Sequence, residues 1–204
     1  IQADAVRLQG ATGSAVVSAV RVETLEIGEL LIENTTMPIV VDAFGGAQGV
    51  LGGEGIADKR IVIEFHRDRI SIARSRRQLA AQGFSVVPFK YHRAQGMRVS
   101  ASVGSVKVIA LIDTGAQMTV GNLALRAAMA RRRGGQGESG MEVVGVTEDI
   151  QQAASARIPS IVAGEIIVKD AAVVSYLGEA FVQKIHQSAA AAGAVLVVAL
   201  GWII

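Results

Sequence analysis

An internal repeat is the sequence feature that most limits how this chain can fold. Two stretches, one starting at Val6 and the other at Met141, read alike over roughly thirty residues. A nearly constant spacing over that length favours two copies of one structural unit over coincidence. Residues 10–12 (GAT) match residues 145–147 (GVT) at an offset of 135. One residue is then inserted in the second copy, and the later matches have an offset of 136: Arg21 with Arg157, residues 28–29 with 164–165, and Ile32 with Val168.

Each copy has the residue pattern of a β-hairpin. Apolar and polar residues alternate on both sides of a tip made of small residues, which is typical of two antiparallel strands joined by a turn. A glycine follows in each copy, Gly28 or Gly164, and then a second alternating segment, ELLIEN or EIIVKD. The sequence therefore predicts two units that are rich in β-strands and centred on these hairpins.

The front half of the unit is present only in the second copy. Met97–Arg133 has the pattern of a strand, a turn, a buried strand that ends in Asp-Thr-Gly, and a helix that Asn122 can cap. Asp113 precedes Thr147 by 34 residues, so a matching Asp-Thr-Gly for the first copy would fall before Ile1. We therefore expect the first unit to lack its front half in this sequence.

Composition argues against several other classes of function. The 204 residues carry a formal charge of +2 and half of them are apolar, which suits a folded globular protein and gives no basis for nucleic-acid binding. The chain has no cysteine, which excludes disulfides and thiolate chemistry and leaves the compartment open. His66, His92 and His186 are far apart and form no metal-binding motif. We expect neither a metal nor an organic cofactor.

The C-terminal segment is apolar but short. Ser188–Ile204 contains 17 residues without a charge. A helix that crosses a membrane needs ~20 predominantly apolar residues. The segment therefore favours a buried strand and turn, and a short membrane span is the less favoured alternative.

The segment around Asp113 resembles the active-site turn of retropepsin-like aspartic proteases. The Asp-Thr-Gly at 113–115 follows the apolar run VIALI and precedes QMTVGN, while Val50–Gly52 and Ala199–Gly201 resemble the apolar-apolar-glycine motif of that family. The chain is similar to the bacterial, two-lobed members of the family over most of Val6–Ile204. The resemblance implies an all-β fold with short helices, built from retropepsin-like lobes of which the first is incomplete.

With this resemblance, the chain is expected to have three regions. Residues 1–77 would be the rear half of the first lobe, and residues 97–204 the second lobe with the Asp-Thr-Gly turn. Residues 78–96 interrupt the strand pattern, contain Pro88, and would be a linker. The resemblance favours a periplasmic or secreted location.

The resemblance further implies an aspartic endopeptidase, which hydrolyses peptide bonds with a water held between two aspartates. Asp113 would be one catalytic carboxylate, Thr114 would hydrogen-bond across the lobe interface, and Gly115 would permit close backbone approach. The partner would be an extended peptide or protein substrate. The hairpin tips would bind that substrate as flaps, through Gly145, Val146 and Thr147 in the second copy and through Gly10 and Thr12 in the first.

One Asp-Thr-Gly cannot supply a pair of aspartates. The second would come from a turn upstream of Ile1 or from a second copy of the chain in a homodimer, and without either we expect the chain to be inactive. A different class of function stays open, namely a non-catalytic peptide-binding β-lobe or interaction module in which Asp113 is a structural turn residue. Residues upstream of Ile1 that contain Asp-Thr-Gly or Asp-Ser-Gly would favour the protease.

Overall fold

The fold consists of two compact units, each built from β-strands. A computed structural model describes residues 4–9, 14–28, 30–40, 49–52, 56, 59–76, 79–92, 96–116, 118–133, 139–144, 150–176 and 195–199. The first unit is formed mainly by residues 1–78 and the second by residues 79–143 and 150–202. The described residues include one α-helix, in the second unit. The prediction of an all-β fold with short helices is confirmed.

The first unit contains a three-stranded antiparallel sheet and a separate hairpin. Its strands are β1 (Asp4–Gln9), β2 (Ser14–Ile27), β3 (Leu30–Pro38), β4 (Lys59–Glu64) and β5 (Arg69–Arg74). In the sheet, β2 lies between β1 and β3. The hairpin pairs β4 with β5 through a short 3-10 turn, which ends at Asp68 in the left-handed region with a φ of 46°.

The second unit holds the longer sheet and the helix. Its elements are β6 (Phe89–His92), β7 (Gly96–Val103), β8 (Val106–Asp113), β9 (Thr119–Gly121), α1 (Leu123–Arg133), β10 (Ser139–Val144), β11 (Ile150–Ala163), β12 (Ile166–Tyr176) and β13 (Val195–Ala199). The strands are ordered β10-β11-β12-β9-β13-β8-β7-β6. β7 also pairs with β11, at Val103 with Ile161 and Ser102 with Val162. Six of the eight strands therefore close into a ring, with β10 and β6 outside it.

The buried core of the second unit follows from the alternation of side chains along its strands. In β8, Val106, Val108 and Ala110 are buried while Lys107 between them is exposed. The inward side chains pack against Ile158 and Ile161 of β11, and against Leu125 of the helix, which is fully buried. Burial of apolar side chains such as these stabilises a fold by about 1.5–3 kcal/mol each.

The helix begins where the sequence predicts a cap. The Asn122 side chain is buried, and its Oδ1 accepts a hydrogen bond of 3.0 Å from the Leu125 backbone N–H. The Asn122 carbonyl accepts the first intrahelical bond, also 3.0 Å, from the Arg126 N–H. Asn122 therefore satisfies a donor that the first turn leaves without a helical partner, as an N-cap does. The cap fixes where the chain turns from β9 into the helix.

The β2–β3 and β11–β12 hairpins have the same pairing register. Thr24 lies opposite Glu33 in the first, and Ser160 lies opposite Lys169 in the second, so both partners are shifted by 136 residues. The turn glycines Gly28 and Gly164 both have a φ of +59°, and Asn34 and Asp170 have φ values of 51° and 50°. The positions that the sequence offset relates therefore share pairing and backbone conformation.

Two further segments, outside the two repeated stretches, form strands. Residues 89–92, within the stretch for which the sequence predicts a linker, form β6 and pair with β7. Val195–Ala199, within the apolar C-terminal segment, form β13. Among the described residues, no helix combines the length and the apolar character that a membrane crossing requires.

Candidate functional site

The Asp-Thr-Gly turn lies at the carboxyl end of β8, and Asp113 is the last residue of that strand. β13 runs parallel to β8 with Ala199 opposite Asp113, and antiparallel to β9 with Val197 opposite Val120. β13 therefore lies between the two strands that the turn connects. This pairing fixes both flanks of the turn, and so the position of the aspartate at the sheet end.

A hydrogen bond within the turn orients the Asp113 carboxylate. The Gly115 backbone N–H donates to Asp113 Oδ1 over 2.9 Å. A side chain that spans two residues in this way forms an Asx-type turn. Asp113, Thr114 and Gly115 are all exposed, so the carboxylate faces solvent at the end of a largely buried strand. An exposed, oriented carboxylate can accept a proton or a hydrogen bond from a water or a substrate.

Glycine at position 115 keeps the space beside the carboxylate open. A Cβ atom built there would lie 3.4 Å from Asp113 Oδ1, which is at the tight end of ordinary contact. The Gly115 amide nitrogen itself lies 2.9 Å from Asp113 Oδ1, so the backbone at this position is close to the carboxylate.

A small apolar cluster lies on the same side of the sheet as Asp113. Side chains two residues apart in a strand point to the same face, so Asp113 shares its face with Leu111. Leu111 packs against a cluster of the buried residues Val120, Ala153 and Val174, and the partly buried Met118 and Met141 pack against the same cluster. The face that carries the carboxylate is therefore apolar next to the turn.

This apolar cluster was not predicted from the sequence. The sequence does indicate that Leu111, two residues before Asp113 in the same strand, shares a face with it. It does not indicate which other residues pack against Leu111. Met118 follows the turn, and Met141 lies in β10, so only the sheet topology relates them to Leu111.

The predicted flap residues fall outside the part of the chain that the structure describes. Gly10, Thr12, Gly145, Val146 and Thr147 lie outside the described residues, although the strands on either side of each tip are described. The structure therefore brings Asp113, Thr114 and Gly115 together in one turn. Among the described residues, no cluster of histidine, aspartate or glutamate side chains has a metal-binding arrangement.

Comparison with known proteins finds similarity to a solved structure. No family model matches the chain, and no curated protein matches it. A crystal structure of a retropepsin-like aspartic protease from Rickettsia conorii is similar with 19% sequence identity and a TM-score of 0.35, over 55% of this chain and 72% of that chain. Because the superposition is this loose, the case for a function rests on the geometry of the Asp113 turn.

Proposed function

We propose that the chain supplies one catalytic carboxylate of an aspartic endopeptidase, and that Asp113 is this group. The observation that carries the proposal is the turn itself. Asp113 is an exposed aspartate at the end of a largely buried strand, oriented by the Gly115 N–H and flanked on both sides by strands that pair with β13. Such a fixed, solvent-facing carboxylate is suited to acid–base chemistry on a bound peptide.

Peptide hydrolysis requires a second aspartate facing Asp113. Two carboxylates in direct contact share one proton, because two negative charges at that separation repel each other strongly. The ionised member removes a proton from a bound water, and the protonated member hydrogen-bonds to the peptide carbonyl. In this proposal Thr114 pairs the two turns, and Gly115 keeps the space beside Oδ1 free of a side chain.

The second aspartate has two possible sources. The shared register and turn conformation of the two hairpins support the proposal that the chain contains two copies of one unit. The second Asp-Thr-Gly would then precede the first copy, upstream of Ile1. The other source is a second copy of the chain, related by two-fold symmetry in a homodimer.

The substrate in this proposal is an extended peptide or protein. Strand-like walls bind an extended backbone through main-chain hydrogen bonds, and side-chain pockets then select among sequences. The hairpin tips, with Gly10 and Thr12 in one and Gly145, Val146 and Thr147 in the other, would close over the peptide. No cofactor or nucleic acid enters the reaction, and a periplasmic or secreted location fits the family resemblance.

One observation favours a second candidate function. The hydrogen bond from Gly115 to Asp113 Oδ1 is also what a purely structural Asx-type turn makes. With that role for Asp113, the chain would be a non-catalytic peptide-binding β-lobe or interaction module. The two functions differ in whether bound peptide is cleaved.

Substitution of Asp113 tests the proposal directly. The longest natural form of the protein that contains these residues is incubated at acidic pH with a mixed peptide library, and cleavage products are identified by mass spectrometry. We expect Asp113→Asn to lower the cleavage rate by at least about 100-fold, which is the scale of a lost acid–base group. The library does not presuppose a cleavage specificity.

The matched control is Asp170→Asn, an identical change at another exposed aspartate of the same unit. The equivalent position of the other hairpin is Asn34 with the same left-handed φ, so asparagine fits this backbone. Loss of cleavage in Asp113→Asn alone supports the protease. Equal cleavage by wild type and Asp113→Asn removes Asp113 from the chemistry, and peptide binding without cleavage in either protein supports the binding module.

A further inference from the structure

Two cations lie on the face of the sheet that carries Asp113. Leu111 shares that face with Asp113, and Arg98 of β7 lies directly opposite Leu111 in the pairing of β7 with β8. Lys90 of β6 lies opposite Arg98 in turn. Directly opposite residues of paired strands point to the same face, so Lys90, Arg98 and Leu111 form a row across three strands. The row crosses β8 two residues before Asp113, within the second unit.

Arg98 is near enough to Asp113 to contact the same bound peptide. Paired strands lie about 5 Å apart and two residues along a strand span about 6.6 Å, so the Cα atoms of Arg98 and Asp113 are separated by roughly 8 Å. An extended peptide advances about 3.3 Å per residue. Arg98 therefore lies two or three peptide residues away from a bond that is held at Asp113.

The two cations differ in exposure. Arg98 is partly buried, whereas Lys90 is exposed on β6, the last strand of the sheet order. Arginine packs its carbon stem on apolar neighbours and keeps its charged group in water, and Leu111 is such a neighbour. The guanidinium has five N–H donors in a planar fork, so it can bind a carboxylate while it keeps a contact within the protein. Arg98 is therefore suited to hold a carboxylate, and Lys90 adds positive charge beside it.

The charges of these three strands favour an anionic group near the turn. As the structure describes them, β6, β7 and β8 contain three cations, and Asp113 is their one acidic residue. The third cation, Lys107, lies on the same face of β8 but six residues before Asp113, which is about 20 Å along the strand. Lys90 and Arg98 therefore concentrate positive charge at the end of the sheet that carries the turn.

We infer that Arg98 and Lys90 form a subsite for an acidic side chain of the substrate, so that the preferred peptide has glutamate or aspartate two or three residues from the cleaved bond. This inference rests on the proposed function. A guanidinium donates two parallel hydrogen bonds to a carboxylate, and such charge-assisted bonds are stronger than neutral ones. Lysine or arginine at the same peptide position is disfavoured, because like charges repel.

Cleavage of the mixed peptide library provides the test. The longest natural form of the protein is used at pH about 5.5, where most glutamate side chains, with an ordinary pKa of about 4.3, are ionised. The products are identified by mass spectrometry and aligned on the cleaved bond. We expect glutamate and aspartate to be enriched at one position two or three residues from that bond. A peptide with glutamate there should have a kcat/KM about tenfold above that of the matched glutamine peptide, the scale of one hydrogen bond to a charged group.

Substitutions of the cations separate binding of the acidic side chain from a structural role. Arg98→Met keeps a long apolar stem, and it should lower the preference for glutamate over glutamine to about twofold or less, with the glutamine peptide cleaved at a nearly unchanged rate. A structural defect would slow both peptides equally. Lys90→Met changes an exposed side chain and should lower the preference about threefold. The matched control is Lys107→Met, which should leave the preference unchanged.

The outcomes distinguish this inference from the proposed function. Cleavage of the library without enrichment of acidic residues overturns the inference and leaves the proposed function standing. An unchanged preference for glutamate in both Arg98→Met and Lys90→Met does the same. An equal loss of preference in Lys107→Met also overturns the inference, because it would indicate an effect of net charge rather than of a subsite. Absence of cleavage of every library peptide overturns the proposed function and the inference with it.

Discussion

The β2–β3 and β11–β12 hairpins share a register but differ in what surrounds them. β2 pairs with β1 and β3 in a three-stranded sheet, whereas β11 has a further partner in β7, which closes the ring of the second unit. Leu25 of β2 is half-buried, but its equivalent Ile161 in β11 is 4% exposed. Local sequence therefore fixes the hairpin, while sheet closure decides how much of its apolar face is removed from water.

The second hairpin is not the more buried of the two at every position. Leu30 in β3 is 5% exposed, whereas its equivalent Ile166 in β12 is 45% exposed. Each strand therefore buries the positions that its own neighbours cover. Because one residue pattern supports both arrangements, the alternation of apolar side chains predicts strands but not which of them become core.

The largest expected difference between the two hairpins is in the cost of truncating a core side chain. Ile161→Ala is expected to lower the free energy of unfolding by about 2–5 kcal/mol, because it leaves a cavity in a closed core. The matched variant Leu25→Ala removes a half-buried side chain and should cost about 1 kcal/mol. Urea denaturation followed by circular dichroism gives both values, and hydrogen exchange assigns each loss to its hairpin. Equal losses would contradict the view that closure at β7 sets the burial.

The turn glycines give the next largest effect, and here the two hairpins should respond alike. Gly28→Ala and Gly164→Ala place a side chain at a φ of +59°, which costs about 1–2 kcal/mol for a residue other than glycine. A Cβ meets no atom within 4 Å at Gly28 and only ordinary contacts with Val86 and Val87 at Gly164. The strain is therefore the dominant cost at both positions. A much larger loss at Gly164, measured in the same urea experiment, would show that the 86–87 segment packs more tightly than these distances indicate.

Much of each unit was accessible from sequence because its information is local. Alternation predicted the strands on both sides of Gly28 and Gly164, Asn122 marked the start of the helix, and the apolar run before Asp113 predicted a strand that ends at that residue. These features depend on residues a few positions apart. The residues next to Asp113 in sequence are therefore sufficient to place this carboxylate at the end of a strand.

The pairings that were not predicted are those between distant strands. β13 inserts between β8 and β9, and β7 meets β11, through backbone hydrogen bonds that carry no residue-specific signal. β6 was not predicted and lies within the predicted linker, because a strand of four residues at a sheet edge shows little alternation of apolar and polar residues. For the same reason the sequence identified Asp113 but not the placement of Met118 and Met141 against the apolar cluster on its face.

The smallest expected effect concerns the ion pair between Arg157 and Asp170 in the second hairpin. Arg157 Nη1 donates to both Oδ2 and the backbone carbonyl of Asp170, whereas the equivalent residues of the first hairpin are Arg21 and the uncharged Asn34. The Arg157 and Asp170 side chains are both largely exposed, and exposed pairs stabilise by about 0–1 kcal/mol. Asp170→Asn should therefore lower the free energy of unfolding by at most about 1 kcal/mol, and the difference should shrink at 1 M salt because salt screens exposed charges.

The reverse change, Asn34→Asp, should give a gain of similar size in the first hairpin if Arg21 can adopt the same geometry. A loss of several kcal/mol in Asp170→Asn that salt does not alter would mean that the left-handed backbone conformation at residue 170 requires the carboxylate. The two hairpins would then differ in backbone energetics as well as in charge.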